Sequence, residues 1–181
     1  MNEKTKRYFN RTLEHIHRVQ KNMFHLITEH SNSLGLTREE CRKLAHQVMI
    51  HDRSKFSFIQ FEPYVELTEY YHQRKKLGNL DYDYPDGIRE KVDLAVEDHY
   101  QKENHHPERL NVLDYMTKYE LIEVVCDLQA MAEEFNEGSC RGYWENVWKK
   151  KQSQYFIDDY RWAQCLAQMD QVIRCFESEG E

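Results

Sequence analysis

The first residues that could do chemistry are five consecutive ones, His51-Asp52-Arg53-Ser54-Lys55, near the end of a predicted helix. Adjacent His and Asp side chains at a helix end can turn toward one ion, the imidazole offering a neutral nitrogen and the carboxylate one or two oxygens. Lys55 follows His51 by one helical turn, so its ammonium could meet an anionic substrate beside that ion. The same residues could instead be solvated or cap the helix. Taken alone, the five residues slightly favour this second interpretation.

Asp127 strengthens the metal interpretation, because it lies within the apolar stripe of a predicted helix, beside Cys126 and Leu128. An ionised carboxylate is costly to bury unless it is paired, hydrogen-bonded or bound to a cation. The chain also has 10 histidines, several of them on other predicted elements. In chain order, the candidate metal ligands are His15, His51, Asp52, His99, His105, His106 and Asp127.

Helices must position these side chains, because the sequence indicates an all-α fold. Hydrophobic residues make up 40% of the chain, Gly and Pro number only 6 and 3, and alternating β-branched runs are almost absent. We therefore predict a single-domain helical bundle of about six to seven helices over residues 1–181. Residues 140–181 are expected to form a C-terminal helical extension packed on that bundle.

Capping signals mark where several of these helices begin. Thr37 with Glu40 and Thr117 with Glu120 form two capping boxes, in which a hydroxyl and a carboxylate satisfy free amides. Asp86 is predicted to cap the helix that carries His99. The predicted helices cover about 5–29, 37–52, 59–76, 86–103, 117–136 and 158–176.

Composition excludes several classes of protein. The net charge of -7 and the pI of about 5.8 argue against extended nucleic-acid binding, which needs a basic face. No stretch approaches the roughly 20 apolar residues of a membrane helix, and the N-terminus lacks an apolar signal core. The five cysteines lack CxxC spacing, as is typical of reduced thiols. We expect a cytoplasmic protein with no membrane partner, and the sequence is compatible with a homo-oligomer.

The order of the candidate ligands resembles that of the HD-domain superfamily of metal-dependent phosphohydrolases. These all-helical proteins use an early His, an adjacent His-Asp pair and a late Asp, and several carry a lysine three residues after the pair, as Lys55 is here. The chain also looks like an uncharacterised bacterial and phage family that is similar to a divergent HD group. The segments that carry this likeness are His15-Ile16 with Val19, HDRSKF at 51–56, HYQKENHHPE at 99–108 and CDLQA at 126–130. The likeness spans about residues 15–130, and HHPE together with HDxSK is more specific than an isolated His-Asp pair.

The resemblance implies two metal sites that share Asp52. The first site takes the early histidine, the pair and the late aspartate, namely His15, His51, Asp52 and Asp127. The second site takes Asp52, His99 and one of the two following histidines, His105 or His106. The resemblance therefore implies that each chain binds one or two divalent ions. The residue types do not distinguish Mn, Fe, Mg, Co, Ni and Zn.

The choice of the early histidine stays open at this point. His17, His25 and His30 share the first helix with His15, which we select because it begins the His-Ile-x-x-Val pattern. His15 and His17 point to different sides of a helix, so both do not easily serve one ion.

The resemblance further implies hydrolysis of a nucleotide or other small phosphate-containing substrate by a metal-activated water. The expected catalytic residues are Asp52, Lys55 and Arg18. Lys55 would bind a nonbridging phosphate oxygen, and Arg18 lies one turn from His15 on the same helix face. Two alternatives remain, an HD-type di-iron oxygenase and a non-catalytic nucleotide-binding or metal-binding regulatory module.

Overall fold

The computed structural model describes residues 1–110, 116–136, 139–152 and 159–177, and every regular element in these ranges is helical. The prediction of an all-α fold is confirmed. Seven helical segments appear: α1 (Glu3–Glu29), α2 (Arg38–Val48), α3 (Phe61–Tyr71), α4 (Ile88–Lys102), α5 (Lys118–Phe135), α6 (Cys140–Tyr143, Trp144–Trp148 and Lys149–Gln152) and α7 (Asp159–Glu177). Short 3-10 turns occupy Arg53–Phe56 and Pro107–Leu110, and a π-helical turn at His72–Lys76 extends α3.

Both predicted capping boxes are confirmed, and the prediction that Asp86 caps α4 is wrong. The Glu40 amide donates to Thr37 Oγ1, and the Thr37 amide donates to Glu40 Oε2 at 2.7 Å. α4 instead begins after Gly87, whose φ of 71° lies in the left-handed region, and no side chain caps it. Glycine adopts this conformation readily because it has no Cβ, so the turn before α4 uses backbone freedom in place of a side-chain cap.

The first capping box gives a testable pH dependence. Hydrogen bonds from the Thr37 backbone and hydroxyl, and from the Tyr119 hydroxyl, lower the pKa of Glu40 to about 2. A carboxyl whose pKa is lower in the folded state stabilises the fold above the unfolded pKa, and this contribution is lost as the pH falls toward 2. The free-energy advantage of wild type over Glu40→Gln should therefore shrink as the pH falls below about 4.5.

Urea unfolding of both proteins between pH 6 and pH 3 measures that difference. Glu39→Gln, at the exposed neighbouring position, is the control. The difference in its free energy of unfolding from that of wild type should change little with pH. The prediction would be contradicted by a difference in the free energy of unfolding between wild type and Glu40→Gln that stays constant over this pH range.

Backbone contacts divide the chain into two units. Unit 1 comprises Met1–Glu14 and Asp52–Glu103, and unit 2 comprises His15–His51 and Asn104–Glu181. His51 and Asp52 are adjacent in the chain but belong to different units. The separation of residues 140–181 as an extension stays a prediction.

An aromatic cluster in unit 1 holds the turn that follows Asp52. The Tyr8 ring lies 5.4 Å from Phe61, and the Phe9 ring stacks on Phe56 at 5.5 Å. The Tyr8 hydroxyl donates a hydrogen bond to the Lys55 carbonyl at 2.6 Å. The first turns of α1 therefore fix the backbone of the 3-10 turn that carries Ser54 and Lys55.

Unit 2 is built around α5, which contacts α2, α6 and α7. All six residues from 121 to 126 are buried, including Glu123, which is 3% exposed. The five cysteines are free thiols, in agreement with the sequence-based prediction. Within the described ranges, no helix combines the length and the apolar character needed to cross a membrane.

Candidate metal centres

The first candidate metal centre, in unit 1, consists of Asp52, His99 and Glu103. One ligand atom from each of these residues lies within 4.8 Å of the other two, so the three could hold one ion. The residues are 0%, 2% and 9% exposed. His99 Nε2 lies 3.3 Å from Asp52 Oδ1. We call this group the carboxylate-rich cluster; it contains two predicted ligands and one, Glu103, that the sequence did not single out.

Local backbone geometry presents these three side chains. Asp52 has φ 59° and ψ 13°, the left-handed conformation, which aspartate tolerates better than most residues and which recurs at functional sites. His99 lies in the last turn of α4, and Glu103 follows it by four residues, just after the helix ends at Lys102. Residues four apart share one helix face, so α4 brings both of these side chains to the cluster.

Ser54 orients two of the three side chains. Its backbone amide donates to Glu103 Oε1 at 3.1 Å, and its Oγ lies 2.9 Å from His99 Nδ1. Gln60, which is fully buried, fixes the direction of this network, because its Nε2 donates to Asp98 Oδ2 at 2.7 Å. Gln60 Oε1 then accepts from Ser54 Oγ at 3.2 Å, and Ser54 Oγ accepts from His99 Nδ1. The hydrogen bonds therefore place the His99 proton on Nδ1.

This protonation state makes the carboxylate-rich cluster suitable for a cation. In its neutral form, with the proton on Nδ1, His99 offers the Nε2 lone pair, and Asp52 Oδ1 lies 3.3 Å from that atom. The two atoms can therefore bind the same cation. Metal-ligating histidines characteristically donate their other N–H to a protein acceptor, as His99 does to Ser54.

Lys55 places a positive group at the same carboxylate. Its Nζ lies 2.5 Å from Asp52 Oδ2 and 5.7 Å from the centre of the Tyr64 ring. Burial, followed by the charge of Asp52, raises the pKa of Tyr64 well above its ordinary value. The Tyr64 phenol therefore stays protonated at neutral pH beside the Lys55 ammonium.

Replacing Ser54 with alanine tests this network. Ser54→Ala removes the hydroxyl that accepts from His99 Nδ1 but keeps the backbone amide that donates to Glu103. Loss of such an outer hydrogen bond typically weakens metal binding about 10- to 100-fold, and we expect a loss of that size in Mn²⁺ affinity. Electron paramagnetic resonance of free Mn²⁺ provides the measurement.

Two matched variants decide how the Ser54 result is interpreted. Ser54→Thr retains the hydroxyl and should restore affinity to within a few-fold of wild type. Gln101→Ala, at an exposed position of α4, should bind Mn²⁺ as wild type does. Equal affinity of Ser54→Ala and wild type would show that Ser54 does not position His99.

The second candidate metal centre, in unit 2, contains His15, His51 and Asp127, whose ligand atoms also lie within 4.8 Å of one another. His15 Nε2 is 3.0 Å from Asp127 Oδ1, and the rings of His15 and His51 are 5.7 Å apart. His15 and His51 are 7% and 1% exposed, whereas the Asp127 side chain is 21% exposed. We call this group the imidazole-rich cluster, because His105 also lies against it, with its ring 4.2 Å from that of His51.

Glu123 orients the central histidine of the imidazole-rich cluster. The His51 Nδ1–H donates to Glu123 Oε1 at 2.8 Å, since an ionised carboxylate only accepts. Gln47 donates to the other oxygen of Glu123, and His105 Nδ1 lies 3.7 Å from Oε1. A neutral His51 therefore carries its lone pair on Nε2, the form in which an imidazole binds a metal, with a carboxylate behind it.

His106 neighbours the imidazole-rich cluster, because its ring lies 4.3 Å from that of His105. His106 is half-buried, with Nδ1 3.5 Å from Glu108 Oε2. Arg18 is half-buried and follows His15 by three residues on α1, and its catalytic role stays a prediction. Of the alternative early ligands, His17 is exposed, and His25 packs on His30 with ring centres 5.1 Å apart. Among the four histidines of α1 and the turn after it, the structure brings His15 to the imidazole-rich cluster.

Sequence reasoning missed two acidic residues of these centres. Glu123 precedes Asp127 by four residues in the same apolar segment, so the burial argument made for Asp127 applied equally to it. Glu103 follows His99 by four residues, a spacing that places it beside a candidate ligand. The bond between Ser54 and His99 spans 45 positions and had no local signal.

Comparison with known proteins gives a family but no function. A family model described as "Family of unknown function (DUF5662)" matches residues 4–174, which is nearly the whole chain. No curated protein and no solved structure matches the chain. The chemistry of the two clusters is therefore the basis for assigning a function.

Proposed function

The chain belongs to the DUF5662 family, and we propose that it is a metal-dependent phosphohydrolase acting on a nucleotide or other small phosphoester. One observation carries the proposal: the two oxygens of the buried Asp52 carboxylate face different partners. Oδ1 lies 3.3 Å from His99 Nε2, and Oδ2 lies 2.5 Å from Lys55 Nζ. A candidate metal centre and an ammonium group thus meet at one side chain, and both kinds of positive charge stabilise a phosphate group.

The residues of both clusters fit a divalent ion. Asp52, His99 and Glu103 would hold one ion, and His15, His51 and Asp127 would hold another. A bound divalent ion lowers the pKa of a coordinated water and stabilises charge on a phosphoryl oxygen. The resemblance of the ligand order to HD-domain phosphohydrolases supports the same chemistry.

The side chains around Asp52 have distinct tasks in the proposed reaction. When substrate binds, Lys55 leaves Asp52 and contacts a nonbridging phosphate oxygen. Its positive charge there stabilises the negative charge that develops during phosphoryl transfer. Ser54 holds the His99 imidazole in one tautomer and one orientation. Glu123 does the same for His51 in unit 2, and the catalytic role of Arg18 in that unit is also part of the proposal.

The ammonium at Asp52 favours a phosphate-containing ligand over the substrate of a di-iron oxygenase. A di-iron oxygenase requires metal centres but gives no reason for a lysine on a ligand carboxylate. A regulatory module would retain phosphate binding without turnover. Phosphate release, oxygen uptake and ligand affinity separate the three functions.

A panel assay tests the proposal. Protein purified without chelators is loaded with Mn²⁺ and incubated with nucleotides and small phosphoesters, and released phosphate and nucleoside are measured. We expect release from at least one member of the panel, lowered at least ~100-fold in His51→Ala, because a ligand should matter more than the outer partners whose loss costs 10- to 100-fold. His46→Ala, at an exposed position of α2, is the control and should match wild type.

Three outcomes would overturn the phosphohydrolase assignment. The first is no release from any member of the panel by metal-loaded wild type, while nucleotide affinity is retained, which would favour a regulatory module. The second is substrate-dependent oxygen uptake by iron-loaded protein without phosphate release. The third is equal release by wild type and His51→Ala.

A further inference from the structure

We infer that the two clusters select different ions: the imidazole-rich cluster of unit 2 binds Zn²⁺, and the carboxylate-rich cluster of unit 1 binds Mn²⁺. The inference rests on the metal dependence in the proposed function and not on the hydrolysis itself. Its basis is the set of donor atoms that each unit supplies. Glu103 becomes a metal ligand in this assignment.

The imidazole-rich cluster supplies nitrogen donors. The His51 ring lies 5.7 Å from His15 and 4.2 Å from His105, and all three histidines are at least 93% buried. Asp127 adds one carboxylate, 3.0 Å from His15 Nε2. One nitrogen from each of His15 and His51 and one Asp127 oxygen lie within 4.8 Å of one another, and a small, nitrogen-rich set of donors suits zinc, which prefers a low coordination number.

The carboxylate-rich cluster supplies mainly oxygen donors. Asp52 and Glu103 contribute two carboxylates, and His99 contributes the single imidazole. Lys55 balances one of the two negative charges when no substrate is present. Carboxylate-dominated sites suit harder ions such as manganese, which also accept water in their remaining positions.

The Glu103 carboxylate is held in a fixed orientation, as a metal ligand should be. Ser54 N–H fixes its Oε1 at 3.1 Å, so the carboxylate has a defined orientation, and the residue is only 9% exposed. Two neighbouring carboxylates repel each other when both are ionised, and a cation between them removes that repulsion in addition to the bonds that Ser54 and Lys55 make. A divalent ion with ligands from both carboxylates and His99 is such a cation.

Metal titrations of the full chain test the inference without any substrate. Zinc outcompetes manganese at most sites, so each ion is titrated separately into chelator-treated protein. Mn²⁺ binding is followed by electron paramagnetic resonance, and Zn²⁺ binding by competition with a chromophoric chelator. We expect Glu103→Gln to weaken the tightest Mn²⁺ site at least ~10-fold while leaving the first Zn²⁺ equivalent within about 2-fold of wild type.

The reciprocal variant should show the opposite pattern. His15→Ala is expected to weaken the first Zn²⁺ equivalent at least ~10-fold and to leave the tightest Mn²⁺ site within about 2-fold of wild type. Glu97→Gln and His17→Ala change exposed residues on the same two helices and should alter neither metal. Wild type given one equivalent of each ion should retain one of each after desalting.

The inference is wrong if both variants weaken the same metal, if either weakens both metals, or if neither changes any affinity. Circular dichroism and the conservative variant Glu103→Asp separate ligand loss from misfolding, because the aspartate should recover part of the Mn²⁺ affinity. The phosphohydrolase proposal fails independently. Selective binding without phosphate release overturns only the function, and release with unselective binding overturns only this inference.

Discussion

Asp52→Asn is expected to lower the kcat/KM for metal-dependent phosphate release at least ~100-fold, a larger effect than losing an outer hydrogen-bond partner produces. The substitution removes the negative charge that faces His99 and Lys55 at 3.3 Å and 2.5 Å. An amide is a weaker metal ligand than a carboxylate. Both the affinity for metal and the balance of charge around Lys55 should therefore change.

Asparagine is chosen because it separates this charge effect from misfolding. Asp52 has φ 59°, and asparagine occupies the left-handed region as readily as aspartate. Asp52→Asn therefore avoids a backbone cost, and in the absence of metal its melting temperature should fall only by the effect of losing the ion pair with Lys55. Asp52→Ala loses the same charge but also pays roughly 1–2 kcal/mol for the left-handed backbone, so its stability should fall as well.

Steady-state kinetics and Mn²⁺ titration of the two Asp52 variants provide the measurements. Asp81→Asn, in the exposed loop before α4, is the matched control and should retain the kinetic constants of wild type. Wild-type activity in a folded Asp52→Asn protein would remove Asp52 from the catalytic machinery, and with it the observation on which the proposed function rests.

The ligands that sequence reasoning found are those whose residue type or position is unusual. Histidine is uncommon enough that its positions stand out, and an aspartate inside an apolar helix indicates a compensated charge. Asp127 was selected on this ground, and the structure places it 3.0 Å from His15. The helices that carry these residues were equally predictable, because capping boxes such as Thr37 with Glu40 are local signals.

Residues that depend on distant contacts escaped prediction. Glu103 and Glu123 each had a local signal, the four-residue spacing from His99 and the apolar segment shared with Asp127, but among 32 acidic residues such signals are too common to select them. Burial selects them, and burial is set by packing of segments far apart in the chain, as the bond between His51 and Glu123 across 72 positions shows. The sequence also predicted a second helix to about residue 52. α2 ends at Val48, and this early end allows Asp52 to take its left-handed conformation.

Removing divalent metal is expected to lower the thermal stability of the protein, because both clusters gather buried negative or acceptor groups. An ion that binds only the folded state at 100 times its dissociation constant stabilises that state by about 2.7 kcal/mol. For a chain of this size, each kcal/mol corresponds to roughly 2–4 °C, so one filled site should raise the melting temperature by about 5 to 11 °C. Differential scanning calorimetry with saturating Mn²⁺, and after treatment with a chelator, measures this shift.

The variants separate metal binding from a general effect of salt. Asp52→Asn combined with Asp127→Asn changes one carboxylate in each cluster and should remove most of the metal-dependent rise. Wild type with a matched concentration of NaCl should melt as the chelator-treated protein does. Equal melting temperatures with and without metal, at concentrations where titration shows the sites filled, would mean that the ions bind folded and unfolded chains alike, which preformed buried clusters do not permit.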